Sequence, residues 1–224
     1  MNDQICTVRG CGRACGPRTY SPLCQAHRVT RVRHGHPEQR AVTFYEMAPH
    51  MAAIRAVVKR NPDSEVWSIL AARWERLRGL ARGIVEESET GQPFHKPTQQ
   101  AAVMLLAVSA VADPLKMREV MLSLYLMRQG APYRFRDDQA FAFTLVRRFR
   151  HLAPMSLGSY WNDKLRKTST VYREAPSRAV VVLGAWLGEV FGLAGVLVAE
   201  DLRKRELLAA TEGSRLAAAV GSLG

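Results

Sequence analysis

Four cysteines and three of the six histidines lie within the first 36 of 224 residues, and no cysteine follows. Cys6, Cys11, Cys24 and His27 form the pattern C-x4-C-x12-C-x2-H. Thiolate and imidazole are the soft and borderline donors that tetrahedral Zn²⁺ takes, here two from each of two chain segments. Gly10 and Gly12 flank Cys11, and Gly16-Pro17 follow. Such a loop folds tightly round a metal and turns its N–H groups toward sulfur. Cys15 is the remaining thiol. It could replace Cys11, giving C-x8-C, although the C-x4-C loop is the commoner arrangement. A disulfide pair or unliganded thiols would be the alternative to metal.

The second ligand pair needs a helix to position it. Ser21 offers a cap, Pro22 suits a first turn and Gly35 a stop. Cys24 and His27 then share a face, three residues apart. Together the two segments predict a loop-plus-helix site of the treble-clef or knuckle kind. Arg28 and Arg31 project from the side of the helix that carries His27, Arg33 lies on the far side, and Arg40 follows in the exit segment. Residues 1–40 hold seven arginines against Asp3 and Glu38, a net +5. A metal-fixed helix with outward arginines is suited to a phosphate backbone or a groove. The plainer alternative is a solvated basic face.

The stretch from Cys6 to Pro37 resembles the short zinc motif of many bacterial phage and mobile-element proteins, where it often sits beside an HNH nuclease or another DNA-binding domain. The likeness is carried by Cys6, Val8, Gly10, Cys11, Gly12, Arg13, Leu23, Cys24, His27, Arg31, Arg33, His34, Gly35 and Pro37, and covers about residues 5–38. It implies zinc and an association with DNA. Where that family has a small or glycine-rich segment before the second pair, this sequence has RTYSPL. Nuclease chemistry would need a general-base histidine beside a divalent cation, with further ligands on a following helix. His34 and His36 are available, but no strand–Asn–helix arrangement follows them, so no enzyme activity is expected.

The whole chain carries net charge +12 with 47% apolar residues. The apolar share allows a real core, and the charge points to polyanions, with DNA expected before RNA. Arginine-rich codon usage is a second source of that charge. The polar start and the clustered thiols lead us to expect a reducing cytoplasm. Beyond a zinc module at 1–40, apolar periodicity predicts an all-α body over 41–210, a bundle of six to eight helices, and a flexible tail over 211–224. Helices are expected over 63–90, 98–112, 114–130 and from Asp137 or Asp138 to Pro154, with no run suited to a sheet. Residues 179–199 form a 21-residue apolar stretch with one charge, Glu189. It is long enough to span a bilayer. The mid-segment carboxylate and the Gly192–Gly195 interruption favour a buried pair of shorter helices, so a membrane partner is not expected. Arg147, Arg148 and Arg150 read as a solvated face or a second phosphate contact. The chain is therefore expected to be a zinc-containing nucleic-acid-binding protein. A structural or assembly protein is the alternative, with self-association through the body.

Overall fold

A computed structural model describes residues 4–16, 20–91, 93, 95–153, 156–162, 166–172 and 174–221. The fold is mainly α, with the Cys/His segment at the N-terminal end. Seven α-helices occur among the described residues: α1 (Gln25–His34), α2 (Phe44–Arg60), α3 (Glu65–Glu89), α4 (Lys96–Ser109), α5 (Pro114–Gly130), α6 (Asp138–Arg150) and α7 (Ser177–Gly221). The starts of three follow from local chemistry. Thr43 and Glu46 make a reciprocal capping box at α2. Asp113 accepts from the N–H groups of Leu115 and Lys116, with Pro114 in the first turn of α5. Asp137 accepts from Ala140 N at α6. The α4 start differs from the expected Thr98 cap: His95 occupies the N-cap and Pro97 the first turn.

Two helices are central. Residues 120–127 of α5 are all buried, as expected of a helix apolar on every side. It packs between α2, α6 and α7. The apolar half of α7 lies against α3, α4, α5 and α6. It buries Ala179, Val180, Leu183, Leu187, Val190, Phe191, Ala194 and Val198. By length and composition α7 is also the one described helix that could cross a membrane, and 44% of its most apolar window is buried in the bundle. Trp74 of α3 ties the layers together, with ring centroids 6.0 Å from both Phe149 and Phe191.

Three expectations need correction. First, Gly192–Gly195 does not break the chain into two helices; α7 is one continuous helix. Each helical glycine costs up to about 1 kcal/mol in propensity, but here the missing side chains admit Tyr125 of α5. The same helix continues through residues 211–221; residues 222–224 lie outside the described residues. Second, the body is not free of strands. β1 (Ser156–Asn162) and β2 (Lys167–Tyr172) pair antiparallel, with a bulge between Ser156 and Gly158. Tyr160, Trp161, Thr168, Thr170, Val171 and Tyr172 give this stretch its β preference. Third, Arg148 is buried, its guanidinium 4.7 Å from the Phe44 ring centroid, so RRFRH is not a solvated face.

The N-terminal segment is fastened to the body around Gly35 and Gln39. Gly35 ends α1 at φ +82°, and a Cβ there would lie 2.9 Å from the Gln139 carbonyl oxygen and 3.0 Å from Phe143 Cδ2. Glycine therefore serves both the left-handed turn and the approach of α1 to α6. Gln39, only 2% exposed, accepts from Arg136 N at 3.0 Å and donates to the carbonyls of Arg40 and Arg134. Arg134 in turn donates to Glu46 at 2.8 Å and to the carbonyls of Arg40 and Ala41.

The Arg134 hydrogen bond, helped by Thr43 and opposed by partial burial, holds the Glu46 carboxyl down from its usual 4.5 to about 2. A depressed folded pKa means the stabilisation is fully present above about pH 4.5 and is lost as pH falls toward 2. Glu46→Gln should therefore melt below the parent at neutral pH, with the gap closing in acid. Thermal melts across that range check this; a gap of constant size would show that the carboxylate's charge is not what matters.

Candidate metal centre

The first ligand segment is a small hairpin. Cys6 N donates to Arg13 O at 2.9 Å and Cys15 N to Gln4 O at 2.8 Å, with a bridge between Ile5 and Ala14. Between these arms the chain turns at Cys11, whose N–H donates to Val8 O at 3.0 Å. Gly10 (φ +77°) and Gly12 (φ +62°) make that reversal in a backbone region where a Cβ would be strained.

The second segment differs in detail from its sequence reading. Ser21 does not cap α1; its Oγ accepts from Leu23 N at 3.3 Å. Cys24 is itself the N-cap, and His27 lies in the first turn. The sulfur of Cys24 thus sits at the positive end of the helix. Thr7 N donates to Pro22 O at 2.9 Å and joins the two segments.

These elements bring together the four residues named from spacing. The ligand atoms of Cys6, Cys11, Cys24 and His27 all lie within 4.8 Å of one another. His27 Nδ1 is 3.4 Å from both Cys6 Sγ and Cys24 Sγ, and the Cys11 and Cys24 sulfurs are 3.8 Å apart. The group could hold one metal ion, with His27 coordinating through Nδ1. Cys15 is outside it: the residue packs with Cys6, Leu23 and Cys24 in a small core beneath the site. None of the four cysteines is in a disulfide.

The thiols differ electrostatically. Burial pushes Cys6 up, but hydrogen bonds from the Cys24 and Val8 backbone, His27 and Cys11 outweigh it and leave its pKa at about 6. At Cys11 the Arg13 backbone lowers the pKa, but burial and the adjacent Cys24 and Cys6 sulfurs raise it overall. Burial raises Cys15.

The four arginines named as a nucleic-acid surface are not equivalent. Arg31 and Arg40 are exposed. Arg28 is half-buried, with its guanidinium hydrogen-bonded to Gln25. Arg33 is exposed as well, but it pairs with Glu174 of the body at 3.0 Å. Arg9 and Arg13, exposed on the ligand hairpin, belong to the same module; their flanking of Cys11 was the signal for them. Comparison with protein-family models, with curated proteins and with solved structures gave no match.

Proposed function

We propose that the centre is a structural zinc site and that the protein is a non-enzymatic nucleic-acid-binding protein, with DNA its preferred partner. Bond lengths of about 2.3 Å to sulfur and about 2.0 Å to nitrogen, at tetrahedral angles, require edges of roughly 3.8 Å between sulfurs and roughly 3.5 Å from sulfur to nitrogen. The distances of 3.8 and 3.4 Å fit that frame. Sulfurs so close repel one another when ionised, and a divalent cation among them removes the conflict. Three thiols and one imidazole suit zinc better than magnesium or calcium, which take oxygen donors.

The observation that carries the nucleic-acid reading is that α1 begins on a ligand, Cys24, and presents Arg28 and Arg31 one turn apart next to His27. A metal-fixed helix holds these side chains partly oriented before contact, so little ordering is needed on binding. Phosphate contact of this kind carries no base specificity. Two histidines lie beside the module. His34 is half-buried, and its pKa is lowered by burial and by Arg147. The imidazole of His36 accepts from Glu38 N at 3.1 Å.

Arg28→Ala combined with Arg31→Ala is expected to weaken binding to all DNA sequences alike. It should lower the slope of log affinity against log salt by about two, near one for each phosphate that an arginine no longer neutralises. Zinc content and helicity should be unchanged. Fluorescence anisotropy with duplex, single-stranded DNA and RNA across a salt series measures this. A double variant that binds like its parent would remove α1 as the contact surface. A parent that binds none of the three at about 50 mM salt would end the nucleic-acid reading. The assembly-protein alternative would then gain support from α7, which is exposed over residues 203–215 and carries Leu207 and Leu208 in the open.

A further inference from the structure

Far along the chain from the metal module, α3, the C-terminal end of α4 and the start of α5 enclose a cavity of about 290 Å³. Its walls include Trp67, Trp74, Met117 and Phe191, and three charged residues, Glu75, Arg78 and Arg118, also line it, a net single positive charge. The walls are fixed. Trp67 Nε1 donates to Asn61 O at 2.7 Å, and Trp74 is wedged between Phe149 and Phe191.

The two cations differ in how far the protein satisfies them: Arg118 has no polar partner among the described residues, and Arg78 is paired in part. Arg118 stands over the Trp67 ring at 5.0 Å and makes no hydrogen bond or ion pair among the described residues. The acid next to it in sequence, Glu119, is engaged by Arg55 and Lys116. Burial, with no acidic neighbour to offset it, lowers the Arg118 pKa. Arg78 gives Nη1 to Glu75 at 2.7 and 3.0 Å, but its Nε is buried with no partner. A partly desolvated guanidinium without an acceptor, as at Arg118, is costly, and an incoming carboxylate removes that cost. Apolar walls with a few converging polar groups are the usual make-up of a ligand site.

We propose that this cavity binds a small aromatic carboxylate, its ring system between the indoles and its charge on Arg118 and Arg78. The volume lies at the lower limit of about 300 Å³ for ligand pockets, so the ligand is a one- or two-ring acid. The proposal is independent of the nucleic-acid reading.

The test is calorimetric titration of the full chain with 2-naphthoate, and with 2-naphthamide as its uncharged counterpart. Naphthoate should saturate a single site with Kd at or below about 1 mM. The amide should bind about tenfold or more weakly, since it lacks the charge-assisted hydrogen bonds. Arg118→Gln should cost naphthoate a similar factor and leave the amide unchanged. Ala71→Leu, at an exposed lining position, should fill the mouth and abolish binding while the far-ultraviolet circular dichroism stays that of the parent. The site is refuted if naphthoate fails to saturate, if acid and amide bind equally, or if Arg118→Gln leaves naphthoate affinity intact.

Discussion

Cys24→Ser is expected to strip the metal from the N-terminal module and unfold it, while Cys15→Ser leaves about one zinc per chain. Cys24 joins three structural roles at one residue: ligand, N-cap of α1 and member of the small core with Cys6, Cys15 and Leu23. The core is too small to hold a fold alone. Binding of structural zinc is worth about 10–16 kcal/mol in isolated modules, and loss of one ligand forfeits most of it. Serine at position 15 removes apolar contact beneath the site but no donor, so its cost is that of one polar group placed in a small core, about 1–3 kcal/mol. Metal analysis of the purified variants, with hydrogen exchange over residues 4–40, reads both effects. The body should keep its protection in either variant, because its core is built from α2 to α7. Zinc retained at full occupancy after Cys24→Ser would overturn the ligand set. Zinc lost after Cys15→Ser, with Cys11→Ser retaining it, would move the site to the other thiol.

How much of this centre could be read in the sequence depended on covalent spacing. Cys6 and Cys11 lie on one short hairpin, and Cys24 and His27 on one helical turn, so local geometry alone brings each pair together. Only the meeting of the two pairs needed the fold, and ligand chemistry leaves few other ways to place them. The helix start was misplaced because Ser21 and Pro22 satisfy cap preferences that the metal loop overrides. The fastening of the module to the body could not be read at all. Gln39, Arg134 and Gly35 act across 88 to 108 residues of sequence, and a lone buried glutamine has no local signature. The cavity beside Arg118 was hidden for the same reason, since its walls come from three helices and α7.

The body's helices were legible where a stop residue and an apolar stripe agreed, as in α3 from Ser64 and α5 from Asp113 to Gly130. The β1–β2 hairpin was missed because its turn lacks a strong glycine signal. Arg166 supplies the positive φ of +47° there. Gly192 and Gly195 were read as a break because the spacing of two glycines shows their propensity cost and not which neighbour they admit.

That neighbour makes Gly195 the most sensitive glycine in the helix. A Cβ at Gly195 would stand 2.5 Å from Tyr125 Cβ and 2.6 Å from its Cγ. Tyr125 has little room to yield. It is 7% exposed, its ring meets Phe141 edge-on at 5.1 Å, and burial pushes its hydroxyl pKa up to about 12. At Gly188, by contrast, the nearest atom to a new Cβ is the Tyr125 hydroxyl, at an ordinary 3.7 Å. The two alanine substitutions should therefore differ in sign. Gly188→Ala gains helix propensity worth up to about 1 kcal/mol and should be neutral or stabilising. Gly195→Ala gains the same propensity but forces α5 and α7 apart, and a net loss of about 1–3 kcal/mol is expected. Urea unfolding of both variants measures the difference. A broken helix, or one resting in lipid instead of on α5, would have no Tyr125 in the way, and both substitutions would then stabilise. Equal stabilisation at the two sites would overturn the packing of α7 on α5; a loss confined to Gly195 would support it.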